Sequence, residues 1–178
     1  MISIPSTTEV LKPWNDFTHV PEDRLVFASE RGTMIHEHCA AYAMNIFSPL
    51  SAHMESHYGI TGYVDSFKRW FDSQVAEVLF VEKRRADDRH GYHGQIDLCA
   101  RLNSGDSVVV DLKSPVTKAK AWQLQMAAYL NLYPEASKAG TLRLHPEGKV
   151  PKMDWYDKSA TEDFAVFLSC LNAHRFFA

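Results

Sequence analysis

The chain is expected to fold as an α/β domain, a mixed central sheet of about five strands flanked by helices, and three observations carry that expectation. Val108, Val109 and Val110 are consecutive, apolar and β-branched, which predicts a buried strand that ends on Asp111, Leu112 and Lys113. Just upstream, GYHGQIDLCARL (91–102) is a second strand-like run, and Asn103-Ser104-Gly105-Asp106 between the two has the Gly and Asx chemistry of a hairpin turn. On either side the periodicity changes to that of a helix. Met34, Ile35, His38, Cys39, Tyr42, Ile46 and Phe47 have helical spacing before the hairpin, and Trp122, Met126 and Leu130 form an apolar stripe after it.

The remaining elements follow in order. Residues 1–28 hold Pro5, Pro13 and Pro21 among scattered aromatics and predict an irregular N-terminal arm, packed down by Val20, Leu25, Val26 and Phe27. Residues 29–178 then form one domain. Ser29 is the expected N-cap of a helix that runs from Glu30 to Ser48-Pro49. Gly59 to Gly62 predicts a turn, and 63–71 a short amphipathic helix with Val64, Phe67, Trp70 and Phe71 on its apolar side. The run VAEVLFVE (75–82) is the first strand, and the charged segment 83–90 is expected to be a loop at the hairpin base. After the hairpin, Thr117 is the expected cap of a helix over 118–132, stopped by Pro134. Two short strands, GTLRLH from Gly140 and KMDWYD from Lys152, are joined by the turn Pro146-Glu147-Gly148. An amphipathic tail over 159–177 closes the sheet through Phe164, Phe167, Leu168 and Leu171.

Composition bounds the function. At 178 residues and 46% apolar content the chain has the size of one domain with a substantial core. It has no Gly-rich phosphate loop ending in Gly-Lys-Ser/Thr, so no ATP-driven motor is expected within it. A formal charge of −3 argues against a protein that coats nucleic acid through its whole field. The cations are local: Lys83, Arg84, Arg85 and Arg89 before the hairpin, Lys118 and Lys120 after it, with Lys68 and Arg69 elsewhere. Cys39, Cys99 and Cys170 lie far apart in apolar surroundings and read as buried thiols of a reducing compartment. The start of the chain lacks the basic and apolar regions of a signal peptide, and no apolar run is long enough to span a membrane, so a cytoplasmic location is expected.

The chemistry concentrates at the hairpin. Side chains alternate along a strand, so Asp111 and Lys113 share one face while Leu112 turns to the core, and pairing lets Asp97 approach Asp111. Oxygen ligands suit Mg²⁺ and Mn²⁺, which polarise a phosphodiester and acidify bound water, while a lysine offsets charge in the transition state. The simpler alternative is a surface ion pair at a strand end, worth about 0–1 kcal/mol. His36 and His38 in HEHC are two apart, which rules out the zinc-protease spacing, and His53 and His57, four apart, lack a completing shell and are expected at the surface.

The order Gly32-x-x-x-His36, Glu82, Gly94-Gln95-Ile96-Asp97, Asp111-Leu112-Lys113, Gln125-Met126-Ala127-Ala128-Tyr129 resembles the RecB-type branch of the PD-(D/E)XK nucleases, over about residues 29–133. The superfamily's leading Pro-Asp stands here as Ile96-Asp97. The resemblance implies a restriction-endonuclease-like core and a Mg²⁺- or Mn²⁺-dependent DNA nuclease. It implies His36, Asp97 and Asp111 as metal ligands, Lys113 as the catalytic lysine, and Gln125 and Tyr129 as a helix-borne pair at the site. The backbone carbonyl of Leu112 and, near the end of its strand, Glu82 join the expected ligand set. Arg84, Arg85, Arg89, Lys118 and Lys120 are the expected phosphate contacts. A stand-alone exonuclease, of the kind encoded by phages or used in recombination and repair, is the leading expectation, with DNA and either a second copy or a recombination protein as partners. With three cysteines an iron–sulfur cluster that needs four is not expected. Its rivals are a structure-specific or single-strand endonuclease and a catalytically silent nucleic-acid-binding module.

Overall fold

The computed structural model describes residues 4–15, 20–115, 118–157 and 161–177. A short helix α1 (Thr7–Leu11) opens the chain, held by a reciprocal capping box between Ser6 and Glu9. A single 3-10 turn, Lys12–Trp14, follows it. Helices α2 (Glu22–Ala43), α3 (Ala52–Tyr58) and α4 (Thr61–Gln74) come next. Then come strands β1 (Val75–Asp87), β2 (Tyr92–Leu102) and β3 (Ser107–Lys113), helix α5 (Ala121–Leu132), strands β4 (Lys138–Arg143) and β5 (Lys152–Asp157), and helix α6 (Thr161–Phe177). The strands make one five-stranded sheet in the order β1-β2-β3-β4-β5. Within this sheet β3 and β4 are parallel, with α5 as their crossover, and the other neighbouring strands are antiparallel. The fold is the mixed α/β arrangement expected.

Period-two alternation divides β3 between two cores. Val108, Val110 and Leu112 pack with Ile35, Cys39, Phe67 and Trp70 under α2 and α4. Val109 packs with Met126, Leu130, Phe167 and Leu171 under α5 and α6. Asp111 and Lys113 share the parity of Val109, so they emerge on the α5 side just where the apolar run stops.

Several expectations are corrected. The segment 83–90 is not a loop: β1 runs on to Asp87, with Lys83 opposite Ile96 and Asp87 opposite Tyr92, and the turn occupies 88–91 with Gly91 at φ +68. Charge hides this strand from a pattern search, yet β1 is an edge strand, where charged side chains are the rule. The irregular arm contains α1 and the first turns of α2. That helix starts after Pro21, with Glu22 and Asp23 facing its dipole, and Ser29 lies inside it rather than capping it. It ends at Ala43 rather than at Ser48-Pro49, where Met44 leaves the helix and Asn45 adopts φ +55. The turn expected over Gly59 to Gly62 is shorter: Gly59, at φ +61, ends α3, and Gly62 is already within α4. There a Cβ would lie 1.8 Å from the Pro146 carbonyl oxygen, so close packing, not turning, requires this glycine. Helix α5 begins at Ala121, and the expected cap Thr117 lies outside the described residues.

Candidate active site

The site arises where the β2–β3 hairpin opens. Ladder pairing between these strands runs from Arg101 and Ser107 to Leu98 and Val110. Beyond that point β2 continues against β1 alone. Asp97 and Asp111 are the next residues on the two separating strands. The Leu112 N–H, without a ladder partner in β2, donates to Asp97 Oδ2 at 2.6 Å. A carboxylate thus closes the fork in place of a backbone carbonyl, and its second oxygen, Oδ1, lies 3.0 Å from His36 Nδ1 on α2. The expectation that Leu112 offers its carbonyl is joined by this second role for its amide.

On the other tine of the fork, Asp111 is 4% exposed and its Oδ2 lies 2.6 Å from Lys113 Nζ. That contact neutralises charge without an aligned hydrogen bond, since Oδ2 is buried and has no well-directed donor. Burial first, and then the carboxylate of Asp97, push the Asp111 carboxyl upward against the opposing pull of Lys113. Lys113 Nζ also donates to Gln125 Oε1 at 3.0 Å, and Gln125 Nε2 donates to the Tyr129 hydroxyl at 3.0 Å. Residues 125 and 129 lie one turn apart on α5, so helical spacing aligns the relay. Burial holds the Tyr129 phenol well above its ordinary range, so it stays a neutral hydroxyl.

The third wall is Glu82. It stands in β1 opposite Asp97, between the pairs Val81–Leu98 and Lys83–Ile96, with φ +49, an uncommon conformation for a non-glycine residue that costs about 1–2 kcal/mol. Gln95 Nε2 donates to Glu82 Oε2 at 2.7 Å. Burial raises the Glu82 carboxyl, with Gln95 opposing and Asp97 adding to the rise. One donor atom from each of His36, Glu82 and Asp97 lies within 4.8 Å of the others. Burial disfavours the charged form of His36, but the Asp97 carboxylate outweighs it and lifts the imidazole to about 9.

Two carboxylates and an imidazole, beside a buried and poorly bonded carboxylate oxygen of Asp111, are a donor set that a divalent cation fits. The oxygens suit Mg²⁺ and Mn²⁺ alike, and the imidazole favours Mn²⁺ between the two. Asp111 itself is turned toward Lys113, and the converging donors are His36, Glu82 and Asp97.

Of the five cations expected to contact phosphate, three have partners within the chain. Arg84 bonds to His93, and Arg85 makes a two-pronged ion pair with Glu135 while stacking over Tyr133. Arg89 is exposed in the turn after β1. Lys118 lies 3.7 Å from Asp154 and over the Tyr156 ring, and Lys120 precedes α5. The sequence reading missed Arg143 and Lys152. Parallel register sets Arg143 beside Lys113, and Lys152 pairs with Arg143 in turn, which puts three cations at neighbouring strand ends with Arg143 held by Asp154 at 3.1 Å. Only knowledge of the β3–β4 register reveals it. Gln95 was also missed as a partner of Glu82, although its place within the Gly94-Gln95-Ile96-Asp97 run was the available signal.

His53 and His57 stack on each other on the exposed side of α3, as expected of surface residues. The three cysteines are buried and unpaired. Among the described residues no helix is long and apolar enough to cross a membrane.

No protein-family model matches the chain, and no curated protein matches it. Among solved structures, the chain is similar to one described as "Crystal structure of SSO0001", with 12% sequence identity over 83% of this chain and 86% of that one and a TM-score of 0.46. A likeness at that level carries no argument about the site.

Proposed function

We propose that this protein is a Mg²⁺- or Mn²⁺-dependent deoxyribonuclease, an exonuclease in the leading form of the reading. The observation that carries it is the open hairpin end, where Asp97, Asp111 and Lys113 meet His36 from α2 and Gln125 from α5. This arrangement supports the roles implied by the resemblance to RecB-type nucleases. His36, Glu82 and Asp97 would hold the cation, with Asp111 adjacent. The bound cation supplies a polarised phosphodiester and an acidified water.

The chain's own groups do the rest. Asp97 holds the fork by accepting the Leu112 N–H, which fixes the spacing of the two strand ends. Lys113, steadied between Asp111 and Gln125, presents an ammonium to developing negative charge, where a well-aimed donor contributes about 3 kcal/mol. Gln125 is steadied in turn by Tyr129, so the lysine's direction is set by two helix positions rather than by solvent.

The test is cleavage of end-labelled linear DNA and closed circular DNA, each with Mg²⁺, with Mn²⁺ and with chelator. Metal-dependent loss of label from linear ends alone is the result expected. Nicking or opening of the circle would replace exonuclease with endonuclease, and DNA binding without cleavage under any metal would replace nuclease with a binding module.

A further inference from the structure

Helix α6 packs Phe167 and Leu171 against α5 and, among the described residues, leaves a second apolar edge uncovered. Along that edge Val166, Ser169, Ala173 and Phe177 recur three or four apart. They border two hollows. One, of about 730 Å³, lies between α6 and the first turns of α5 and is lined by Ala121, Leu124, Val166 and Cys170. The other, of about 420 Å³, lies between α6 and the N-terminal segment and is lined by Val10, Pro13, His174 and Phe177. The two share Trp14, Cys170 and Ala173, so they form one groove along the helix. Knobs stand beside the hollows: Trp14 is 59% exposed, and Phe176 and Phe177, packed edge to face on each other, are 82% and 83% exposed.

The extent of this face fits a protein partner. An aromatic side chain covers roughly 200 Å², so the three exposed rings alone offer about 450 Å² of apolar surface. One side of a standard interface takes roughly 800 Å², of which roughly 500 Å² is apolar in a homodimer. Val166 and the walls of the hollows supply the rest. Charge then selects the partner. The first turn of α6 is acidic, with Glu162 and Asp163, and its last turn is basic, with His174 and Arg175. A membrane or a nucleic acid would bring its anions against the acidic turn. An antiparallel second copy instead sets each acidic turn near the partner's basic turn, and brings each projecting Phe177 toward the larger hollow of the other chain.

We propose that this face joins two copies of the chain, with their α6 helices antiparallel about a two-fold axis near Ser169. Ser169 is the midpoint of α6, and Ala165 and Ala173 lie one turn to either side. Such small side chains let the helix axes approach to about 8 Å. Groove and knob lie on one patch, so the same contact is made twice and the pairing closes as a dimer. Nothing in this pairing depends on the nuclease chemistry.

The test is the mass of the protein in solution, by sedimentation equilibrium over a dilution series. Wild type should approach twice the 20.2 kDa of one chain. Ser169→Arg sets two like charges face to face across the axis and should weaken the dimer by at least about 100-fold. Replacing Phe176 and Phe177 together by Ala should weaken it by at least about 10-fold. All three positions are exposed, so circular dichroism should show the variants folded. Register is read by cross-linking: under mild oxidation Ser169→Cys should form a disulfide between copies, whereas Asn172→Cys, displaced along and around the helix from the axis, should not. The native cysteines are buried, so wild type provides the blank. A wild type that stays monomeric throughout the series would overturn the proposal, and a monomer that sediments with phosphatidylserine vesicles would give the face to a membrane instead. A dimer indifferent to Ser169→Arg, or linked through Cys at 172 and not at 169, would equally overturn it.

Discussion

The two ends of the β2–β3 hairpin are built differently. At the closed end, Arg101 pairs with Ser107 in a regular ladder, and the nearby ion pair of Lys138 with Asp106 is largely open to water. At the open end the ladder stops after Leu98 and Val110, and side chains take over the bonding that backbone performs elsewhere. The difference teaches where polar groups become costly. Asp111 is drawn into low exposure by the apolar triplet that precedes it and Asp97 by the buried Leu98-Cys99-Ala100 that follow it, so each needs a partner: Leu112 N–H and His36 for one, Lys113 for the other. At the closed end the polar groups of Asp106, Ser104 and Lys138 bond to one another with water at hand.

The largest effect should come from breaking the open end. Asp97→Ala is expected to lower cleavage by at least about 10²–10³-fold and to destabilise the fold by about 1–3 kcal/mol in urea titrations, because the Leu112 N–H loses its acceptor. Asp97→Asn sharpens the comparison: its amide oxygen can still accept that N–H, so stability should return while cleavage and Mn²⁺ affinity do not. Equal recovery of both would separate Asp97 from metal chemistry.

Next in size is the relay behind Lys113. Gln125→Ala removes the acceptor at 3.0 Å from Nζ and the donor to Tyr129, and should cost about 10–100-fold in kcat with Mn²⁺ affinity nearly unchanged. Gln125→Glu restores an acceptor to the ammonium but not the donor to the hydroxyl. Partial recovery of kcat is therefore expected, and none would mean that Tyr129 matters more than the lysine's direction.

A smaller, pH-dependent effect concerns His36. Without divalent cation, its imidazole is raised from 6.5 to about 9 by Asp97 against the opposing effect of burial. A raised folded-state value means that the protonated pair contributes fully below about pH 6.5 and is lost as pH rises through about 9. The difference in urea midpoint between wild type and His36→Gln should accordingly be greatest at pH 6 and shrink toward pH 10. A difference that is flat with pH would show that the imidazole is not charged against Asp97. Metal binding should respond in the opposite sense, since a coordinating imidazole must give up its proton.

How much of this was legible in sequence depended on whether the signal was local. The triplet Val108–Val109–Val110, the hairpin and the Gln125–Tyr129 spacing were readable because period and turn chemistry act within a few residues. The extension of β1 through Lys83, Arg84 and Arg85 was not, because its stability comes from pairing with residues that follow the turn, and edge position makes its charges acceptable. Ser29 misled for a related reason: a good capping residue does not cap when the helix has already begun at Glu22. Within the site, Asp97, Asp111, Lys113 and His36 were each named from sequence. Which carboxylate would face which partner was not, since the register of three strands and the φ of Glu82 decide it. Arg143 was invisible until the parallel β3–β4 register set it beside Lys113.

The smallest expected effect is the control at the closed end. Lys138 Nζ lies 2.8 Å from Asp106 Oδ2, a shorter contact than several at the open end, yet the two side chains are 28% and 41% exposed, against 18% and 6% for Lys113 and Asp111. Distance alone would rank these pairs together, and exposure separates them. Water and ions screen the first pair, and holding two long side chains in one geometry costs entropy, so a Lys138→Ala/Asp106→Ala double-mutant cycle should give a coupling of about 0–1 kcal/mol that fades with added salt. The equivalent cycle on Lys113 and Asp111 should give a larger coupling that salt barely alters, since each single change strands a charge away from water. Comparable, salt-sensitive couplings at both ends would mean that the open end is wetter than its burial implies, and the reading of Lys113 as a held ammonium would weaken with it.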